Sequence, residues 1–240
     1  MEKGTAGFFI FVLIQSKKEN ESRRFGGFGV NARNWVRLFF STLVIGAFVG
    51  MVTGLIIESD LYKSVGEFIA LAIWFFGVSC IFSLISQMGF FAYLTIHRFG
   101  LGIFRSVKLW NAVQLVIIAF VLFDIVYLRY TTFAEEGDPL GPYFIPAILL
   151  LVFGLIVGYL KQKQTNREAF VPAMFLMIVV TTIEWFPVLR ANEFKWIVIM
   201  FAVLIAANAW QVLILHHLNE RSAQELAAKR QGAVQKVSKK

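Results

Sequence analysis

The chain has 240 residues, 58% of them hydrophobic and only 16% charged, with a formal net charge of +8. A soluble domain is nearer about 45–50% apolar and roughly 25% charged, so this composition excludes an ordinary soluble protein and points to an integral membrane protein. The basic residues are dispersed among loops with no recognisable binding module, which argues against nucleic acid as a partner.

In chain order, residues 1–29 come first. The apolar part, Gly7 to Ile14, is too short to span a bilayer, and no small-residue cleavage motif follows it. Two readings stand. The segment is a cytoplasmic extension, or it is not made in the cell, because Gly26-Gly27 can be encoded by a ribosome-binding sequence and Val30 by a bacterial start codon.

Apolar runs then predict an all-α fold, a bundle of about six transmembrane helices within residues 30–218. The spans are expected at about 38–57, 68–96, 110–128, 143–160, 170–189 and 196–215. The second rises about 43 Å against a hydrocarbon core of about 30 Å, so it must tilt, bend near Gly89, or project past the membrane. The first carries Gly46, Gly50 and Gly54 on one stripe, and the fourth repeats the spacing at Gly154 and Gly158. Such stripes let another helix approach closely, either inside the bundle or from a second copy in a homo-oligomer. Cys80, the single cysteine, lies in an apolar run as a small packing residue and permits no intrachain disulfide.

The apolar run of the second span stops at His97-Arg98, which predicts the turn into the third span there. Ile103, Val107 and Trp110 follow at i, i+4, i+7, with Arg105 and Lys108 together at i, i+3. That pattern predicts a short amphipathic segment with its cations at the headgroups and Trp110 in the aromatic belt. It is either an interfacial anchor or a partner-docking surface made by His97, Arg98, Arg105, Lys108 and Trp110.

Asp124 in the third span and Glu184 in the fifth lie near the outer ends of their helices, where they could share a depth. A carboxylate inside a span costs about 2.5–3.5 kcal/mol at the centre, so each needs a reason. Structural pairing with Arg129, Arg190 or Lys195 is one; a proton or cation relay is the other. Asp124 and Arg129 are five residues apart, about 140° round a helix, which is poor for local pairing. A second polar set lies toward the cytoplasmic half: Ser79, Ser83 and Ser86 on one face with Gln87 beside them, Asn111 with Gln114, and Asn208 with Gln211. Interhelical hydrogen bonding, on the order of 0.6 kcal/mol each, is one account of them and a ligand site the other.

With His97, His216 and His217 the only histidines, no metalloprotease motif can be written, and there is no phosphate loop or nucleophile elbow. No catalysis, metal or cofactor is expected. Residues 219–240 form a basic tail with few apolar anchors, expected in the cytoplasm or against lipid headgroups. Counted over alternating loops, 19 of the 23 Lys and Arg fall on the side shared by both termini, leaving Lys63, Arg129, Arg190 and Lys195 opposite. Both termini are therefore expected in the cytoplasm.

Two stretches carry a resemblance. "NWVRLFFSTL" (Asn34 to Leu43) and "SQMGFFAYLTIHRFGLGIFRSVKLWNAVQLVIIAFVLFDIVYLRY" (Ser86 to Tyr130) closely resemble the KinB-signalling pathway activation family, KbaA, of endospore-forming Bacillus-like bacteria. The likeness begins near Asn31, runs to the sixth span, and is strongest in the second and third. It implies a multi-pass plasma-membrane protein that promotes activation of a membrane sensor histidine kinase feeding the sporulation phosphorelay. It assigns no site residues. The alternative from the residues alone is a small transporter or ion-coupled protein using Asp124 and Glu184.

Overall fold

The computed structural model describes residues 32–238; the expectations for residues 1–29 and for Val30 lie outside them. Six long helices follow one another: α1 (Ala32–Ile57), α2 (Val65–Phe104), α3 (Val107–Phe133), α4 (Ile145–Gln164), α5 and α6 (Phe194–Ser238). Helix α5 is built of Phe170–Phe175, a π-helical stretch Leu176–Val180, and Thr181–Ala191. Among the described residues there is no strand, and six helices are long and apolar enough to cross a membrane.

The helix ends follow from local chemistry. Ser64 opens α2 with a capping box: its hydroxyl accepts from Glu67 N at 3.3 Å while the Glu67 carboxylate accepts from Ser64 N at 3.1 Å. At the other end, Arg105 turns left-handed at φ 53° and its N–H closes on Leu101 O. Ser106 then caps α3, accepting from Leu109 N. The expected turn at His97-Arg98 is thereby corrected. Both residues lie inside α2, which runs eight residues past Ile96 to Phe104. The left-handed Arg105 and the Ser106 cap break the chain instead, and nothing near His97 does. Ile103 therefore ends one helix while Val107 and Trp110 begin the next, and the expected single amphipathic face is split.

The chain divides into two compact units, residues 35–216 and, among the described residues, 32–34 with 217–238. In the smaller, Asn34 Nδ2 donates to Ser222 Oγ over 2.7 Å and both side chains are buried.

In the larger unit α5 forms the centre: every residue from Ala173 to Thr181 is buried, and the helix packs on α2, α3 and α4. The glycine stripes make close contacts within this unit. A Cβ on Gly46 would lie 2.7 Å from Ser83 Oγ, one on Gly50 would run into Ser79 of α2 and Val203 of α6, and one on Gly54 into Phe75. Gly154 and Gly158 face Ile178, Met174 and Phe170 of α5 in the same way. Bare backbone at these positions lets α1 lie on α2 and α4 on α5. Glu58, just past α1, and Lys195 of α6 form an ion pair at 2.6 Å.

Candidate functional site

The buried polar side chains gather where α2, α5 and α6 meet. Asn208 of α6 is the hub. Its Nδ2 donates to Thr181 Oγ1 at 2.9 Å and to Glu184 Oε2 at 2.8 Å, and its Oδ1 accepts from Ser86 Oγ at 2.8 Å. Gln211, one turn along α6, donates to Ser86 Oγ at 2.9 Å and to Ala207 O at 3.1 Å. Ser83, one turn before Ser86 on α2, donates to Thr42 O of α1 at 3.0 Å. The i, i+3 and i, i+4 spacings keep each set on one helix face, which is why three helices can converge on so few residues.

Glu184 is 6% exposed, and no cation pairs with it among the described residues. Its Oε2 is held by Asn208, whereas Oε1 has no hydrogen-bond partner and lies against the Cα of Gly89. Gly89 thus accommodates a carboxylate. The side chain of Gln87 is also buried, with neither of its polar atoms partnered, as is the hydroxyl of Ser79. Unpaired buried polar atoms cost roughly 1–3 kcal/mol each, so this junction is held in place by its surroundings.

A second cluster joins α2, α3 and α5. Tyr93 Oη donates to Pro172 O at 2.9 Å and accepts from Gln114 Nε2 at 3.4 Å, and its ring stacks on Phe175. Trp110 Nε1 donates to His97 Nδ1 at 3.0 Å, so His97 carries its proton on Nε2. The indole lies flat over Gly100, where any side chain would displace it, and stacks on Phe104. Trp110 is 5% exposed, which corrects its placement in the aromatic belt: Gly100 opens a slot in α2 that the ring fills. Arg98, Arg105 and Lys108 are exposed around it, as are Phe99 and Ile103. Asn111 Nδ2 donates to Glu168 O at 3.4 Å.

Asp124 and Glu184 face different neighbours. Asp124 lines a cavity of about 580 Å³ between the C-terminal halves of α3 and α5, which Arg129 of α3 and Arg190 of α5 also line, and Glu184 is not among its lining residues. Arg129 donates to Leu189 O at 3.2 Å and to Asn192 Oδ1 at 3.0 Å, satisfying the end of α5 where Asn192 turns left-handed. Lys195 is committed to Glu58.

Sequence reasoning missed three participants. Thr181 and Tyr93 sit inside apolar runs, yet each lies three or four residues from a residue that was singled out, Glu184 and His97. Lys161, one of the 19 Lys and Arg counted on the side of the termini, is buried, and its Nζ donates to Val212 O at 2.6 Å. Among the described residues no three of His, Cys, Asp and Glu converge to hold a metal.

Comparison with known proteins places the chain in a family. The family model described as "KinB-signalling pathway activation in sporulation" (KbaA) matches residues 46–218. A Bacillus subtilis (strain 168) protein named "KinB-signaling pathway activation protein" is 44% identical over 192 residues, covering 78% of this chain and 97% of the relative. No solved structure matches. Matched over most of its length by both, the chain belongs to the KbaA family, KinB-signalling pathway activation in sporulation.

Proposed function

We propose that this protein is a non-enzymatic, six-span plasma-membrane regulator that promotes activation of a membrane sensor histidine kinase in the sporulation phosphorelay. The observation that carries the reading is the 44% identity along 97% of a relative named for KinB-signalling pathway activation. Residues 30–218 form the membrane domain, residues 219–240 a basic cytoplasmic tail, and both termini lie in the cytoplasm, as the Lys and Arg distribution supports.

The kinase is met at the cytoplasmic junction of α2 and α3. Arg98, Arg105 and Lys108 are exposed there beside Phe99 and Ile103, a mixed cationic and apolar surface, while Trp110 and His97 fix the two helices behind it. Arg105→Glu with Lys108→Glu tests this. Kinase-dependent sporulation signalling should fall while membrane abundance is unchanged; unchanged signalling at normal abundance would leave the two cations an anchoring role only, worth about 1 kcal/mol each at an anionic leaflet.

A second reading, an ion-coupled membrane protein, is favoured by one observation, the buried and unpaired Oε1 of Glu184. The Glu184→Gln, Asp124→Asn double variant separates the two. Loss of function at normal abundance supports ion coupling, and retained signalling supports the regulator.

A further inference from the structure

The cavity between α3 and α5 carries both signs of charge without pairing them. Asp124, Arg129 and Arg190 all line it. No hydrogen bond or ion pair links Asp124 or Arg190 to another described residue. Two of the five N–H groups of Arg129 go to Leu189 O and Asn192 Oδ1, and its guanidinium lies 5.5 Å from the Phe133 ring, so it is held at the rim as a fixed cation while Arg190 has no such anchor.

The two unpaired charges are also set at different heights. Asn111 of α3 reaches Glu168 just before α5, and Arg129 reaches Leu189 near its end, so the helices run in the same direction. Asp124 is then level with the region of Ile183, and Arg190 is about two turns further along, on the order of 10 Å. Between them the wall is apolar, with Ile125, Leu128 and Phe186, and is interrupted by the hydroxyls of Thr132 and Thr182. At about 580 Å³ the cavity falls in the range of roughly 300–1,000 Å³ typical of small-molecule sites.

The geometry points to a binding site for a short apolar peptide with free termini, its ammonium against Asp124 and its carboxylate against Arg190. Three residues of extended chain span about 10 Å, matching the separation of the two charges. Apolar side chains fill the space beside Ile125 and Phe186; the Thr132 hydroxyl meets the peptide backbone, and Thr182, whose proton goes to Ile178 O at 2.6 Å, can only accept from it. A carboxylate in an apolar helix needs a partner, and among the described residues no hydrogen bond or ion pair supplies one to Asp124. The assignment rests on the membrane-spanning reading above, which sets the C-terminal ends of α3 and α5, and so the mouth at Arg190, on the outer face.

The test uses the full chain reconstituted in lipid nanodiscs, with dileucine and trileucine as probes and calorimetry or thermal shift as readout. Trileucine should bind saturably. N-acetyl-trileucine and trileucine amide should each bind at least tenfold more weakly. Asp124→Asn should weaken trileucine but abolish the discrimination against the acetylated form, and Arg190→Gln should do the same for the amide. Blocking the ligand's termini keeps the test valid even where a variant folds poorly. No saturable binding of either probe, or equal binding of free and blocked forms, overturns the site while leaving the kinase reading untouched. A chain that does not enter nanodiscs overturns both.

Discussion

The free carboxylate oxygen of Glu184 occupies the space over Gly89 that any side chain at that position would need. Gly89→Ala should therefore push Glu184 off Asn208 and cost about 1–3 kcal/mol, the usual range for overpacking. Thermal unfolding in nanodiscs would read the loss. In Gly89→Ala with Glu184→Ala the contact with the carboxylate disappears and only Val180 Cγ1, at 2.9 Å from the new Cβ, must give way, so the double variant should be more stable than the sum of the two single losses predicts. Simple additivity would mean the two residues do not share that space.

Gly50→Leu should lower membrane abundance sharply, because Ser79 and Val203 occupy the position its side chain would take. Gly66→Leu and Gly102→Leu are controls, since a Cβ added at either meets nothing within 4 Å, and should leave abundance unchanged. Equal abundance of all three variants would show that α1 is not seated on α2 through this stripe.

Arg105 adopts φ 53° as the left-handed end of α2. A non-glycine residue pays roughly 1 kcal/mol there, so Arg105→Gly should raise thermal stability by a few tenths to about 1 kcal/mol. The same change removes one of the three exposed cations of the junction. Signalling should fall while stability rises, a combination that a purely structural role for Arg105 cannot produce.

Lys195→Ala should have little effect. The lysine is 58% exposed and Glu58 14%, so water still reaches the pair through the lysine side, and such ion pairs contribute about 0–1 kcal/mol. A larger loss in the unfolding midpoint would mean the Glu58 carboxylate depends on this one partner.

Reporter fusions after Lys163 and beyond Asn219 should read cytoplasmic, and fusions near Asp60 and Asp138 external. An external C-terminal fusion would contradict an even number of spans with the N-terminus inside.

The number and order of the helices were legible because apolar runs of eighteen or more residues have few other meanings. The end of α2 was not. His97 and Arg98 interrupt hydropathy without interrupting a helix, whereas the actual stop lies in the backbone sign of Arg105, to which hydropathy is blind. Asn208, Gln211, Ser86 and Glu184 were each visible as polar intrusions, but their meeting at one point depends on how three helices rotate against each other. Trp110 shows the same limit. Its burial depends on Gly100, ten residues earlier and on another helix, so the aromatic-belt expectation had no local signal to correct it.

The π-helical stretch Leu176–Val180 stores one residue more per turn than the α-helix on either side of it. Thr181 Oγ1 bonds Leu176 O, five residues back, and so fastens that surplus in place. Were it drawn out, Thr181–Ala191 would swivel by about 100° against Phe170–Phe175. Glu184 would leave Asn208 and Gly89 in the same movement that carried Thr182, Ile183 and Phe186 away from the cavity wall. A single screw thread therefore sets the alignment of both places at once, and neither can be unseated without turning the other.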